Sequence, residues 1–89
     1  MKESKVTIKN ELGLHARAAG IFAKEASNFS SDVMVIRDSM QVNGKSIMEL
    51  LTLAASNGTE IMITADGDDE TQAIKVLTSL VNQNFREER

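Results

Sequence analysis

The apolar residues of this chain repeat with two different periods, and the order in which those periods alternate is the strongest constraint on its fold. Repeats at every second residue predict half-buried strands, whereas repeats at three and four residues predict helices with one buried face. Along the 89 residues, the two periods give the order β-α-β-β-α-β-α. This order buries one face of a four-stranded sheet under helices, so we predict an α+β open-faced β-sandwich.

Short segments rich in β-branched residues predict four strands. These strands cover about residues 3 to 9, 33 to 36, 40 to 42 and 61 to 64. The polar residues Arg37, Asp38 and Ser39 predict the turn of a hairpin between the second and third strands. Residues 65–68 predict the turn that leads from the fourth strand into the last helix.

Two helices are predicted before the fourth strand. The first runs from Ala16 to about Ser27, and its buried stripe consists of Ala19, Phe22, Ala23 and Ala26. Gly20 lowers the helix propensity there, and a close approach by a neighbouring backbone or a partner would explain it. The second helix begins near Ser46 and ends at a left-handed stop over residues 57–58. Its predicted buried face consists of Ile47, Leu50, Leu51, and Leu53 or Ala54.

The third helix has the clearest apolar stripe in the chain. That stripe consists of Ala73, Ile74, Leu77, Leu80, Val81 and Phe85. Asp68, Asp69 and Glu70 crowd its start, while Arg86 and Arg89 follow its end. Charges placed in this way stabilise a helix by ~0.3–1 kcal/mol each through its dipole. We therefore interpret the acidic cluster as a solvated helix end in preference to a cation site.

Composition excludes several classes of function. The length predicts a single domain over residues 1–89. Without cysteine there is no disulfide, and with one histidine a transition-metal site would depend on carboxylates alone, so we expect neither a metal nor a cofactor. No apolar run approaches the ~20 residues of a membrane span, which predicts a soluble cytoplasmic protein without membrane insertion. A net charge of −3 and only three aromatic residues argue against nucleic-acid binding.

His15 is the only histidine, and it lies where the first predicted helix begins. A helix start presents unpaired backbone N–H groups and partial positive charge, which suit a phosphate. Arg17 adds a guanidinium that can hold phosphate oxygens in a bidentate manner. Imidazole is itself a nucleophile, so this pattern favours a histidine that accepts a phosphoryl group. The alternative is a polar surface histidine or a simple helix cap.

Ser46 and Glu49 match the capping box of a helix start. In that motif the serine hydroxyl accepts from the amide of Glu49, and the glutamate accepts from the amide of Ser46. A phosphate on Ser46 would suit the helix and would change any nearby docking surface. Ile47 and Met48 cannot both point inward together with the leucines that follow, so we expect at least one of them to be exposed.

Three separated segments strongly resemble the HPr family, the histidine-containing phosphocarriers of the bacterial sugar phosphotransferase system. They are LGLHARAA over residues 12–19, VNGKSIM over 42–48 and TADGDDE over 64–70. The resemblance covers nearly the whole chain. It implies four antiparallel strands in the order 1-4-2-3 with three helices on one face, in agreement with the order of periods.

The resemblance also implies a function and a set of site residues. His15 would be phosphorylated at Nδ1 by enzyme I, at the expense of phosphoenolpyruvate, and would pass the phosphoryl group to IIA components of sugar permeases. Arg17 would be the active-site arginine. The implied docking surface consists of Gly20, Ile47, Met48 and Leu51, with Arg17 and Lys24 as its basic rim. We expect a monomer that carries the group between partners and has no turnover of its own.

Ser46 matches the position that an HPr kinase/phosphorylase modifies in many family members. This supports an alternative function, namely a regulatory module that acts mainly through Ser46 on a kinase or a transcription regulator. Two residues depart from the common pattern: Ala18 replaces a frequent proline, and Glu49 replaces glycine or a basic residue. We expect Ala18 to alter the stiffness of the His15 loop, and Glu49 to repel a phosphoserine. An acylphosphatase-like hydrolase is a third alternative, although the chain lacks a suitable arginine-rich phosphate cradle near its N-terminus.

Overall fold

The computed structural model describes residues 1–86 and confirms the predicted order of elements. The strands are β1 (Lys2–Thr7), β2 (Asp32–Arg37), β3 (Met40–Asn43) and β4 (Glu60–Asp66). The helices are α1 (Ala16–Ala26), α2 (Ile47–Thr52) and α3 (Glu70–Asn82), and a 3-10 turn follows at Asn84–Arg86. The strands pair antiparallel in the order β1-β4-β2-β3. This is the open-faced sandwich that both the periods and the family resemblance predict.

Alternation along the strands decides which face of the sheet the helices cover. Val33 and Val35 of β2 are buried, as are Ile61 and Ile63 of β4, while Met34 and Met62 between them lie on the open face. In the register of the sheet, Val35 lies opposite both Ile63 and Val42, so the buried residues of neighbouring strands form continuous rows. The helix layer completes the core mainly with Phe22, Leu50, Leu77, Leu80 and Phe85.

The predicted end of α2 is wrong. The helix ends at Thr52, and Ala54 has a left-handed φ of +51° that turns the chain away. Residues 57–58 instead lie in the turn before β4, where the Gly58 amide donates to the carbonyl of Ile8 at 2.7 Å. The amide of Ile8 donates in return to Thr59 at 2.9 Å. Pairing with the segment after β1 is therefore what fixes this loop, and a local sequence pattern does not reveal that pairing.

The predicted buried face of α2 is also wrong in part. Leu50 and Leu53 are buried, but Ile47 and Leu51 are 45% and 40% exposed. Met48 is 79% exposed, so the expectation that at least one of Ile47 and Met48 is exposed is confirmed for both. In this helix of six residues only Leu50 is buried, and the second buried leucine, Leu53, is its C-cap.

The third helix is shorter than its stripe suggests. It ends at Asn82, and Phe85 reaches the core from the 3-10 turn with a φ of +58°, although it is fully buried as predicted. At the start of α3, the carboxylate of Asp69 accepts from the amides of Ser30 and Ser31 at 2.9 and 3.0 Å, and from the Ser31 hydroxyl. Asp69 thus ties α3 to the entrance of β2, which is a more specific role than dipole pairing. Arg89 lies outside the described residues.

No helix within residues 1–86 is long and apolar enough to cross a membrane.

Candidate functional site

The loop that precedes α1 is held by its own hydrogen bonds. The amide of Gly13 donates to the carbonyl of Asn10 at 3.1 Å, and the buried side-chain amide of Asn10 donates to the carbonyl of Gly13 at 2.7 Å. Gly13 has a φ of +68°, and a β-carbon there would lie 2.6 Å from the carbonyl oxygen of Ala55. Only glycine meets both demands, so the loop is fixed tightly against the segment that follows α2.

His15 occupies the N-cap of α1. The amide of Leu14 donates to Ala55 at 2.8 Å, and that of His15 donates to Gly13 at 3.0 Å, so the backbone is tied on both sides of Leu14. The carbonyl of His15 accepts the first helical bond, from Ala19 at 2.8 Å. The half-buried imidazole makes no capping bond to the helix. The interpretation of His15 as a simple side-chain cap is therefore wrong.

Arg17, Gly20 and Lys24 follow one face of α1 at spacings of three and four residues. Arg17 and Lys24 are exposed. Within residues 1–86, no hydrogen bond or ion pair engages the guanidinium of Arg17. Arg17 lies in the first turn, beside helix amides that have no intrahelical acceptor. An anion at the start of α1 would thus meet backbone donors and an uncommitted cation.

The second half of the predicted docking surface lies on α2. Ile47 and Leu51 are one helical turn apart, with Met48 beside them. A β-carbon built on Gly20 would have only Cδ1 of Ile47 within 4 Å, at 3.9 Å. The structure therefore brings Gly20 and Ile47 together, but Gly20 is not required by a close backbone approach. We call the residues Arg17, Gly20, Lys24, Ile47, Met48 and Leu51 the α1–α2 surface.

The predicted capping box at Ser46 is half correct. The hydroxyl of Ser46 accepts from the amide of Glu49 at 3.2 Å, as predicted. The carboxylate of Glu49, however, accepts from the amide of Asn43 at 3.0 Å, because the amide of Ser46 already donates to the carbonyl of Asn43 at 3.2 Å. Ser46 itself is half-buried. Its side chain therefore has a structural role whether or not it is modified.

Two residues near this site had no predicted role in it. Leu12, three residues before His15 in the loop that precedes α1, is 71% exposed. Arg37, predicted to begin a turn, belongs to β2 and donates from Nη1 to the carbonyls of Leu53 and Ala54 at 2.7 and 3.0 Å. The sequence of β2 could have indicated this contact. Its side chains alternate between the two faces of the sheet, and Arg37 takes the next inward position after Val35.

Among residues 1–86, no group of three or more His, Cys, Asp or Glu side chains is arranged to hold a metal ion.

Comparison with known proteins places these features in a family. Residues 2–83 match the family described as PTS HPr component phosphorylation site. The phosphocarrier protein HPr of Neisseria meningitidis is 48% identical over 87 residues, which are 98% of each chain.

Two solved structures share the fold. HPr-C-His from Thermoanaerobacter tengcongensis is 47% identical and superimposes with a TM-score of 0.94 over all of both chains. The Crh protein of Bacillus subtilis, solved as a domain-swapped dimer, is 43% identical with a TM-score of 0.77, covering 94% of this chain and 97% of Crh. The expectation of a monomer stays a prediction for this chain.

The family model and the HPr relative both cover nearly all of this chain, and the sheet order is the one that the resemblance implies. HPr proteins carry a phosphoryl group and are not catalytic enzymes. The chain therefore belongs to the HPr family of phosphocarriers of the phosphotransferase system.

Proposed function

We propose that His15 accepts a phosphoryl group from enzyme I and donates it to IIA components of sugar permeases. The observation that carries the proposal is the position of His15 at the N-cap of α1, with Arg17 two residues away in the first turn. His15 is half-buried, so its side chain is partly accessible to solvent, and it directly precedes the first residue of the helix. Membership in a phosphocarrier family supports the assignment of the reacting group to the only histidine of the chain.

The transfer is a displacement at phosphorus in each direction. A lone pair of the imidazole, at Nδ1, attacks the phosphorus held by enzyme I, so that an N–P bond forms while the bond from phosphorus to enzyme I breaks. The phosphoryl oxygens are then stabilised by amides at the start of α1 and by Arg17. A nucleophile on the IIA component reverses these steps. One guanidinium and helix amides stabilise the adduct moderately, which suits a group that has to be passed on.

The α1–α2 surface is the proposed docking site for both partners. It combines exposed apolar side chains on α2 with the basic residues Arg17 and Lys24 on α1. Apolar residues at the centre of a contact supply affinity, whereas charges at its rim steer the approach of a partner of opposite sign. We therefore expect partners whose matching surface is apolar at its centre and acidic at its edge. Met48, which is flexible and 79% exposed, suits a surface that fits more than one partner.

The two departures from the common pattern fall at different places. Ala18 is fully buried and helical, so the residue maintains α1 without the rigidity of proline. Its effect on the stiffness of the His15 loop stays a prediction. Glu49 is exposed, and its amide and its carboxylate both take part in closing the start of α2. A negative charge added to Ser46 would lie beside this carboxylate and would be repelled.

The test is phosphorylation with enzyme I and labelled phosphoenolpyruvate. The parent chain is expected to take up label that is lost in acid and retained in base, as for a phosphohistidine, and His15→Ala is expected to take up none. Lys24→Met is the matched control for Arg17→Met, because both remove a cation from the same face of α1. Arg17→Met should slow the transfer by about a hundredfold, and Lys24→Met by much less. Equal labelling of His15→Ala and the parent would overturn the proposal.

A second function is favoured by Ser46. Its hydroxyl caps α2 directly beside the exposed Ile47 and Met48, so a phosphate there would change the proposed docking surface. Crh is described as a catabolite repression HPr, so the similarity to it supports a regulatory function for this chain, and Ser46 is the residue that we propose for it.

Incubation with an HPr kinase and ATP tests this second function. The parent should take up acid-stable label and Ser46→Ala none, while Glu49→Gln should be modified at least as readily as the parent because the repulsion is removed. Labelling from ATP without any from enzyme I would favour the regulatory function over the carrier function. Failure of both reactions would contradict both.

A further inference from the structure

We infer that Arg37 is a positioning residue for His15, and that it acts through the loop after α2. The inference rests on the proposed function of His15 and adds a residue to it. Val33 and Val35 of β2 face the helix layer and are buried. The same alternation turns the next inward position, Arg37, toward that layer, where the core ends. An arginine at this position reaches the end of α2 instead of contributing to the apolar core.

The contacts of Arg37 are with backbone carbonyls. Its Nη1 donates to Leu53 at 2.7 Å and to Ala54 at 3.0 Å. Leu53 is the C-cap of α2 and Ala54 follows it, so both carbonyls lie just beyond the last helical residue. A cation near a helix C-terminus also pairs favourably with the helix dipole. Within residues 1–86, the one ion pair of this guanidinium is with Asp38 at 4.0 Å, a side chain that is 92% exposed. The two carbonyls are therefore the main anchors of the Arg37 side chain.

These two carbonyls flank the most unusual backbone angle of the loop. Ala54 has a φ of +51°, a left-handed conformation that residues with a β-carbon seldom adopt. Such a conformation persists only where surrounding contacts hold it. Arg37 bonds to the carbonyl just before Ala54 and to that of Ala54 itself. The guanidinium thereby holds the peptide groups on both sides of the strained residue.

The next residue carries the effect to His15. The carbonyl of Ala55 accepts from the amide of Leu14 at 2.8 Å, and Leu14 directly precedes His15. Gly13 lies against the same segment, since a β-carbon there would be 2.6 Å from the Ala55 oxygen and 2.7 Å from Cα of Ser56. A change in the Ala54 backbone would move the Ala55 carbonyl, and with it the partner that fixes Leu14. Arg37 would thus set the position of the imidazole without touching the phosphoryl group.

The far side of the loop has a separate anchor. The side-chain amide of Asn57 donates to the carbonyls of Lys9 and Asn10 at 3.1 and 3.3 Å. This anchor remains when Arg37 is replaced, so the loop should loosen at residues 53–55 without detaching completely. We therefore expect a local change in the His15 backbone and not global unfolding.

Four variants test this inference: Arg37→Met, Ala54→Gly, the double variant, and Asp38→Asn as a control that removes only the surface ion pair. Two properties are measured, the rate of phosphoryl transfer from enzyme I and the hydrogen exchange of the Leu14 amide. Arg37→Met should slow transfer about tenfold at saturating partner, because a small displacement of a reacting group is costly. It should also accelerate Leu14 exchange about tenfold relative to the buried Leu77 amide.

The double variant separates positioning from a general structural role. Glycine adopts a positive φ without support, so Ala54→Gly in the Arg37→Met background should restore most of the transfer rate and of the Leu14 protection. Asp38→Asn should leave both unchanged. Unchanged Leu14 exchange in Arg37→Met, or no recovery in the double variant, would overturn the inference. If the parent took up no phosphoryl group, the proposed function would fail, whereas the exchange of Leu14 would still decide whether Arg37 positions this loop.

Discussion

The starts of α1 and α2 are built in opposite ways. At α2, local side chains close the helix end, because Ser46 accepts from the amide of Glu49 and the Glu49 carboxylate accepts from Asn43. At α1, the His15 side chain makes no capping bond to the helix. The backbone there is fixed by Ala55, which lies forty residues after His15 and whose carbonyl accepts from the amide of Leu14. The start of α2 is therefore closed by side chains close to it in sequence, whereas the start of α1 is fixed through its backbone by a distant segment.

The largest effect should follow from disturbing the distant support of α1. Gly13→Ala places a β-carbon 2.6 Å from the Ala55 oxygen at a φ of +68°. Backbone strain and overpacking together should lower the free energy of unfolding by about 3 kcal/mol, measured by urea denaturation. Gly58→Ala is the matched control, because Gly58 has a φ of +92° but nothing within 4 Å of the added carbon. It should lose only about 1 kcal/mol, and equal losses would mean that the contact with Ala55 is unimportant.

The start of α3 differs from both of these helix starts, because the side chain of Asp69 there binds a distant segment, Ser30 and Ser31. The hydrogen bond from the Ser31 hydroxyl, followed by that from the Ser30 amide, lowers the pKa of Asp69. A lowered folded-state pKa contributes stability that is complete above the unfolded-state pKa and is lost as the pH falls through the folded-state value. Asp69→Asn should therefore be less stable than the parent at pH 7, with the difference shrinking on acidification below the ordinary carboxyl range.

Urea denaturation at neutral and acidic pH measures this difference. Asp68→Asn is the control. Asp68 is exposed, and this substitution removes a carboxylate next to Asp69 while the hydrogen bonds from Ser30 and Ser31 to Asp69 remain. It should change stability little at either pH. An Asp69→Asn deficit that stayed constant with pH would show that the amide loses packing or geometry and not the charge-assisted hydrogen bonds.

The local cap of α2 should yield a smaller effect. Ser46→Ala removes the acceptor for the Glu49 amide and should cost about 1 kcal/mol of unfolding free energy. The transfer rate at His15 should stay unchanged, because the hydrogen bonds of Ser46 are to Asn43, Glu49 and Leu50 and not to the loop before α1. Ser46→Asp retains a capping oxygen and should recover part of the loss. If Ser46→Ala slowed the labelling of His15 as strongly as Gly13→Ala does, the local cap of α2 would not be independent of the backbone support of α1.

Local periodicity was sufficient to predict most of the fold. The alternation of Val33 and Val35 and the stripe from Ala73 to Val81 each report which side of an element is buried, so the order of elements and the open sheet follow from them. The errors occur where distant segments decide the structure. Residues 57–58 have the composition of a helix stop, but they form a turn because the chain after β1 pairs with them.

In the candidate site as well, the residues carried by a local motif were predicted, and the features that depend on distant segments were not. His15, Arg17 and Ser46 were predicted because a short motif carries each of them, and the structure places them at the starts of helices as expected. The exposure of Leu51 and the bond from Arg37 to the end of α2 depend on how short that helix is. The left-handed backbone of Ala54 follows directly after the end of α2, and the helix propensity of alanine does not predict that conformation.

The smallest expected effect distinguishes folding from docking within the α1–α2 surface. Gly20→Ala adds a methyl group in a helix interior, where alanine is favoured over glycine by about 0.5–1 kcal/mol. The new β-carbon would meet only Cδ1 of Ile47, at 3.9 Å, so the free energy of unfolding should rise by about that amount. The same methyl group projects into the proposed docking site and should raise the KM for transfer from enzyme I. A loss of stability would mean that α1 and α2 pack more tightly than this distance implies. An unchanged KM would remove Gly20 from the proposed docking surface, but it would not affect the roles proposed for His15 and Arg17.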